Sequence, residues 1–119
     1  MSKGPKKALD EAERIAAAVV AELAPACERI EIAGSIRRRR PQVADIEVVA
    51  IPKMIGGAMV DLFAPPPKES LLDIFLRDLE RQGRVTAHPT RPANGDKYKR
   101  LWLPKPGMQL DIFIVTPPA

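Results

Sequence analysis

An apolar strand that begins with two acidic residues is the feature that most constrains how this sequence can fold. Residues 45–51 read Asp-Ile-Glu-Val-Val-Ala-Ile, and Pro52 ends the predicted strand. Residues i and i+2 of a strand point to the same face, roughly 6.5–7 Å apart, so Asp45 and Glu47 share one face and the apolar residues share the other. Two neighbouring carboxylates repel each other. A bound divalent cation, a basic partner or exposure to solvent would explain the pair.

A third acidic residue interrupts a second apolar run further along the chain. Asp111 lies within residues 108–115, which are otherwise mostly apolar. A charge in such a run is costly unless it is paired or coordinates a metal. Three carboxylates on two strands of one sheet would make a hard, oxygen-rich site suited to Mg²⁺. The sequence therefore indicates a metal site at Asp45, Glu47 and Asp111.

A glycine-serine turn and a run of four arginines precede the acidic strand. Gly34 permits a sharp turn after the predicted strand at residues 29–33, and the arginines occupy positions 37–40. Backbone N–H groups of such a turn, together with guanidinium groups, suit a phosphate. Metal-binding carboxylates beside a phosphate site are typical of phosphoryl transfer.

These residues resemble the palm of the DNA polymerase beta-like nucleotidyltransferases, which include the family X polymerases and smaller relatives. In that family, a Gly-Ser pair follows a strand, and an Arg stands three residues after the Ser. An Asp-x-Asp/Glu motif begins ten residues after the same Ser, and a third Asp lies on a later strand. The stretch from Gly95 to Tyr98 is similar to a Gly-x-x-Lys-aromatic segment of the same palm, with one residue fewer between the glycine and the lysine. The matching positions are Gly34, Ser35, Arg38, Asp45, Glu47 and Asp111.

The resemblance implies nucleotidyl transfer with two Mg²⁺ ions, which Mn²⁺ would replace. Asp45 and Glu47 would hold both ions, while Asp111 would bind the ion that activates the attacking hydroxyl and would take its proton. Gly34, Ser35 and Arg38 would hold the triphosphate of an NTP or dNTP.

The basic residues favour an anionic partner or a solvated basic loop, and the resemblance makes a nucleic acid the expected partner. By the resemblance, Lys97 would lie near a DNA or RNA backbone, and Arg37 and Arg100 are candidates for the same contact. Lys97, Lys99 and Arg100 form a basic cluster in sequence, which would equally suit a charged edge strand.

The acceptor of the nucleotide is open at this level. A 3′-OH of a nucleic acid is expected, but Glu47 replaces the usual polymerase Asp, as in relatives that modify proteins or small molecules. Gln109 stands where the polymerases have an Arg. The sequence ends soon after Asp111, so a minimal form without the polymerase thumb is expected, with a homodimer or a partner chain in its place. A non-catalytic nucleotide- or nucleic-acid-binding module and a basic protein without a metal site are the alternatives.

Length and composition set the class of protein. A chain of 119 residues is expected to form one domain over residues 1–119. Its net charge of +4 favours an anionic partner. Cys27 is the only cysteine, which excludes an intrachain disulfide and fits a cytoplasmic protein. No apolar run approaches the ~20 residues of a membrane span, and the basic residues near the start are not followed by the apolar segment expected of a secretion signal.

Hydrophobic periodicity predicts an α+β fold, with a mostly antiparallel sheet and two helices on one face. Helices are predicted over residues 8–23 and 69–82, and strands over 29–33, 45–51, 59–63, 84–88, 98–103 and 108–115. Trp102 is expected in the core, His88 in a loop, and Asp61 on an exposed edge strand.

Overall fold

The computed structural model describes residues 6–56 and 69–115. Its helices are α1 (Leu9–Leu23), α2 (Gly34–Arg37) and α3 (Leu71–Arg81), and a 3₁₀ turn covers Ala24–Ala26. Its strands are β1 (Lys7–Ala8), β2 (Cys27–Ala33), β3 (Gln42–Val43), β4 (Asp45–Pro52), β5 (Met54–Ile55), β6 (Glu69–Ser70), β7 (Thr86–Ala87), β8 (Ala93–Asn94), β9 (Tyr98–Leu103) and β10 (Met108–Ile114). Among these residues, no helix is long and apolar enough to cross a membrane.

A six-stranded sheet organises the described part of the chain. Its strand order is β2-β4-β10-β9-β7, and β8 pairs with β9 beside β7. The β4–β10 pair is parallel, while β2–β4, β10–β9, β7–β9 and β8–β9 are antiparallel. The predicted α+β fold with a mostly antiparallel sheet is therefore confirmed.

The long helices α1 and α3 cover one face of this sheet, here called the helix face. Small residues on α1, among them Ala12 and Ala16, are completely buried, and Leu72 of α3 is buried with them. They pack in one cluster with Ile46 and Val48 of β4. Because side chains alternate along a strand, this packing leaves the odd-numbered residues of β4 on the opposite face.

The helix boundaries differ from the predicted ones by a few residues. Helix α3 begins at Leu71, because the Ser70 hydroxyl accepts a hydrogen bond of 3.2 Å from the backbone N–H of Asp73 and so caps it. Glu69 and Ser70 instead pair with Met54 and Ile55 as a short ladder. Helix α1 begins at Leu9, one residue later than predicted.

Other predicted elements are shorter or different. The strand expected over 84–88 is reduced to Thr86–Ala87, and the Gly-Ser turn is a single turn of helix, α2. The placement of Trp102 in the core is wrong: the ring is only partly buried and lies edge-on to His88. The predicted strand at 59–63, with Asp61, lies outside the described residues.

Candidate active site

The three acidic residues of the sequence prediction converge on the face of the sheet opposite the helices, here called the carboxylate face. Strands β4 and β10 are neighbours, and their register places Asp45 opposite Gln109 and Glu47 opposite Asp111. One oxygen from each of Asp45, Glu47 and Asp111 lies within 4.8 Å of the other two. The parallel pairing produces this convergence, because it aligns the i, i+2 acids of β4 with an acid of β10.

These carboxylates form a donor set that fits a hard divalent cation. Asp45 and Asp111 are both only 4% exposed, and Glu47 is half-buried. Mg²⁺ prefers carboxylate oxygens, and gathering three negative charges in so small a volume is costly without a compensating positive charge. The residues at this position could therefore hold a metal.

Gly34 brings the backbone of α2 against the acidic cluster. Its φ is +68°, a left-handed conformation that favours glycine. A Cβ atom at this position would lie only 2.5 Å from the carboxylate carbon of Glu47. Two constraints therefore favour glycine at position 34: the left-handed backbone conformation and the close approach of Glu47.

The arginines that follow Gly34 are used in different ways. Arg39 forms an ion pair of 3.0 Å with Glu13 on α1, which ties the loop to the helix. Arg37 and Arg38 are exposed, and Ser35 is half-buried at the second position of α2. The charges of Arg37 and Arg38 are thus accessible to an anion from solvent.

A hydrogen-bond network surrounds Asp111. The Gln109 amide Nε2 donates to both carboxylate oxygens, at 3.0 and 2.9 Å. The Tyr98 hydroxyl donates to Oδ1, and the Arg100 guanidinium Nε lies 3.9 Å from the same oxygen. These contacts restrain the Asp111 side chain before any ligand binds.

The Tyr98 hydroxyl is protonated in this network. Burial raises the pKa of the Tyr98 phenol, and the hydrogen bond and charge of Asp111 raise it further, while Arg100 opposes the shift. Since the pKa lies above its ordinary value of 10.0, the hydroxyl keeps its proton at neutral pH and can donate to Asp111.

Two solved structures with this architecture are complexes of one DNA polymerase. Leishmania infantum polymerase beta in its ternary P/T complex aligns with a TM-score of 0.67 and 20% identity, over 96% of this chain and 44% of the polymerase. Its ternary gap complex aligns with a TM-score of 0.66 and 20% identity, over 93% of this chain and 38% of the polymerase. The fold is polymerase beta-like. The chain spans less than half the length of these matched structures, and neither a protein-family model nor a curated protein matches the sequence.

The basic cluster predicted on this polymerase beta-like palm is divided between two faces. Lys97 is exposed, whereas Arg100 points into the Asp111 network. Lys99 is buried on the helix face, where its Nζ lies 3.1 Å from an Asp73 oxygen and 2.5 Å from the Asn94 amide oxygen. Strand alternation separates these neighbours in sequence, so Lys99 serves the packing of α3 on the sheet.

His88 has a structural role in the loop after β7, as predicted for a loop residue. Its ring nitrogen Nδ1 accepts hydrogen bonds from the backbone N–H groups of Thr90 and Arg91, at 3.3 and 3.1 Å. The ring also contacts Trp102, with the centroids 5.5 Å apart. These contacts fix the loop that leads into β8.

Two residues of the site were missed by sequence reasoning. Tyr98 was noted only as part of a family-like segment, and Gln109 only as a departure from the polymerase pattern, yet both donate to Asp111. The sequence feature that could have revealed them is the short turn over residues 104–107, which joins β9 and β10 into a hairpin. That hairpin places Tyr98 and Arg100 on the same face as Asp111.

Proposed function

We propose that this protein is a Mg²⁺-dependent nucleotidyltransferase that transfers a nucleoside monophosphate from an NTP or dNTP to the 3′-OH of a nucleic acid. The observation that carries the proposal is the convergence of Asp45, Glu47 and Asp111 within 4.8 Å on the carboxylate face of a polymerase beta-like fold. The sequence resemblance points to the same three residues.

Asp45, Glu47 and Asp111 would hold the metal ions. Bound divalent ions lower the pKa of an attacking hydroxyl and neutralise charge on the leaving pyrophosphate. The carboxylate of Glu47 lies close to the backbone of α2, since a Cβ at Gly34 would be only 2.5 Å from its carboxylate carbon. This proximity supports placing the metal ligands beside the residues proposed to hold the phosphates.

Ser35 and Arg38 are the proposed triphosphate ligands. Ser35 lies on α2 directly after Gly34, and Arg38, which ends this helical turn, is exposed. A guanidinium group can donate two parallel hydrogen bonds to phosphate oxygens. Since Gly34, beside Ser35, lies close to Glu47, an NTP whose phosphates contact these residues would lie beside the carboxylates of β4.

The reaction forms one bond and breaks one bond at the α-phosphorus. The 3′-oxygen of the acceptor bonds to phosphorus, and the bond to the oxygen that bridges the α- and β-phosphates breaks, so that pyrophosphate leaves with the electron pair. The carboxylate of Asp111 takes the proton of the attacking hydroxyl. Positioning and charge stabilisation provide most of the rate increase in reactions of this kind.

The exposed cations support a nucleic-acid acceptor. Arg37 and Lys97 are exposed, and the chain carries a net charge of +4. Contacts between such residues and a phosphate backbone give most of the affinity of non-specific nucleic-acid binding. Arg100 is instead engaged with Tyr98 and Asp111, so we assign it to the support of the site and leave the backbone contacts to Arg37 and Lys97.

Nucleotide incorporation tests this proposal. The protein would be incubated with Mg²⁺ or Mn²⁺, labelled NTPs or dNTPs, and a primed or single-stranded oligonucleotide. Asp45→Asn should lower the extension rate at least ~1000-fold, because a tenfold loss follows from each 1.4 kcal/mol and metal-ion stabilisation amounts to several kcal/mol. Glu28→Gln, which changes an exposed acid on neighbouring β2, is the matched control and should extend normally.

The possible results separate the acceptor from the chemistry. Extension that survives in Asp45→Asn would refute the assigned metal ligand. No extension by the wild-type protein, combined with label transferred to protein or to a small hydroxyl compound, would refute the nucleic-acid acceptor and favour the acceptors suggested by Glu47. Absence of both products would favour a module that only binds nucleotide.

A further inference from the structure

Two strands and a loop converge on the carboxylate of Asp111. Gln109 is two residues away on β10, and its Nε2 bridges both oxygens of Asp111. Tyr98 reaches Oδ1 from neighbouring β9. Oδ1 therefore accepts from two side chains, whereas Oδ2 accepts only the Gln109 bond among the hydrogen bonds of the described residues. The two oxygens are not equivalent.

Contacts on both sides fix the ring of Tyr98. Its centroid lies 5.1 Å from that of Phe113, which is opposite it in the β9–β10 register. The Arg100 guanidinium carbon lies 5.3 Å from the Tyr98 centroid, within the range of a cation–π contact. The hydroxyl is thus brought to Asp111 by a side chain with little freedom to turn away.

Arg100 determines the direction of the Tyr98 hydrogen bond. The Nε–H of Arg100 donates to the Tyr98 hydroxyl oxygen at 3.0 Å. A guanidinium group has no acceptor, and a phenol has only one proton. The hydroxyl proton must therefore point away from Arg100, towards Asp111, and the bonds run in one direction from Arg100 through Tyr98 to Oδ1.

The loop after β7 holds Arg100 in turn. Arg100 Nη1 donates to the backbone carbonyl of Arg91 at 3.0 Å. The backbone N–H of Arg91 donates to His88 Nδ1 at 3.1 Å. A continuous series of contacts therefore joins this loop to a carboxylate of the proposed metal site.

We propose that Tyr98 is a positioning residue that orients Asp111 for metal binding, because its bond to Oδ1 adds to the Gln109 bridge and fixes the rotation of the carboxylate. This inference rests on the proposed function, because it assumes that Asp111 is a metal ligand. Groups that hold a metal ligand in place typically change metal affinity 10–100-fold when they are replaced. An Asp111 carboxylate held by the Gln109 bridge without the Tyr98 bond would be less firmly oriented, which would give such a loss.

Direct titration with Mn²⁺, followed by the electron paramagnetic resonance signal of the free ion, tests this role without requiring turnover. Tyr98→Phe keeps the ring and its packing on Phe113 but removes the hydroxyl, and we expect it to bind Mn²⁺ ~10-fold more weakly than the wild-type protein. Leu101→Met is the matched control, because Leu101 lies on the same strand but packs on the helix face, outside the contacts that lead to Asp111. It should bind Mn²⁺ as the wild-type protein does.

A kinetic measurement distinguishes positioning from general loss of structure. In the extension assay, the Mn²⁺ concentration at half-maximal rate should rise by the same factor in Tyr98→Phe, while the KM for nucleotide stays unchanged. Should Tyr98→Phe fail to fold, Arg100→Met replaces it, because it leaves the hydroxyl in place but removes the donor that directs its proton. A smaller loss of Mn²⁺ affinity is expected from that variant.

Three results would overturn the inference, and they differ in what else they affect. Tyr98→Phe affinity within twofold of the wild-type value, or tighter, would refute Tyr98 alone and leave the proposed function standing. An equal loss in Leu101→Met would show that any change on β9 disturbs the site. A wild-type protein that binds no Mn²⁺ would refute the metal site and this role together.

Discussion

Gly34 offers a test of the site in which protein stability and metal binding separate. Gly34 and Gly83 both have a left-handed backbone, with φ of +68° and +74°. A Cβ at Gly83 meets nothing within 4 Å, whereas a Cβ at Gly34 would lie 2.5 Å from Cδ of Glu47. Gly34→Ala and Gly83→Ala therefore share the backbone cost but differ in their effect on a proposed metal ligand.

The shared cost follows from the backbone conformation. An L-residue in the left-handed region costs about 1–2 kcal/mol. With a urea m-value near 2 kcal/mol/M, this cost lowers the midpoint of unfolding by roughly 0.5–1 M in each variant. The additional contact in Gly34→Ala is with the end of a flexible side chain, so it should be relieved by movement of Glu47 at little further cost in stability.

That movement should be costly for metal binding. Glu47 must withdraw by about 1 Å to restore the 3.4 Å of an ordinary contact, and a misplacement of about 1 Å in a catalytic constellation can cost ~100-fold. We expect Gly34→Ala to bind Mn²⁺ ~10- to 100-fold more weakly than Gly83→Ala, by titration of each folded variant. Equal Mn²⁺ affinity in the two variants would refute the proposal that the position of Glu47 against Gly34 matters to the metal site.

Two further predictions concern the helix face and the alkaline limit of stability. Asp73→Ala should lower the free energy of unfolding by about 1–3 kcal/mol, because it removes the carboxylate that pairs with the buried ammonium of Lys99. Lys99→Met should cost less, because it removes the buried charge itself. Similar losses for the two variants in urea unfolding would contradict this explanation. Burial raises the pKa of the Cys27 thiol above its ordinary value of 9.0, and Lys53 partly opposes the shift. The contribution of the neutral Cys27 thiol to the free energy of unfolding is therefore fully present below pH 9.0, and it is lost as the pH rises through the folded-state pKa of the thiol. Urea unfolding from pH 8 to 11 should show a decline that is shallower in Cys27→Ala, and an equally steep decline would assign it to other groups.

The carboxylate cluster could be predicted because its signal is local. A charged residue in an apolar strand is costly enough to require a reason, and Asp45, Glu47 and Asp111 each stand in such a strand. The family-like spacing from Ser35 to Asp45 then indicated the chemistry. That these carboxylates meet also requires β4 and β10 to be neighbours in the register that places Glu47 opposite Asp111, which the structure shows.

The support around Asp111 could not be predicted in the same way, because it depends on register. The Tyr98 bond to Asp111 requires a particular alignment of β9 with β10, and a shift by one residue would place Tyr98 on the helix face. The position of Lys99 depends on register in the same way. It was grouped with Lys97 and Arg100 by proximity in sequence, but the register turns it towards α3 and Asp73.

The parallel pairing of β4 with β10 also has a consequence for how the protein folds. The paired residues, Asp45 with Gln109 and Glu47 with Asp111, are far apart in sequence, and closing a long loop costs entropy before the contact is gained. The three carboxylates should therefore meet late, after the local β9–β10 hairpin has formed. An ion bound by contacts that are absent from the transition state slows unfolding and leaves the folding rate unchanged. Stopped-flow experiments with and without Mn²⁺ would then show a change in the unfolding limb alone, and the ion would stabilise a finished sheet without directing its assembly.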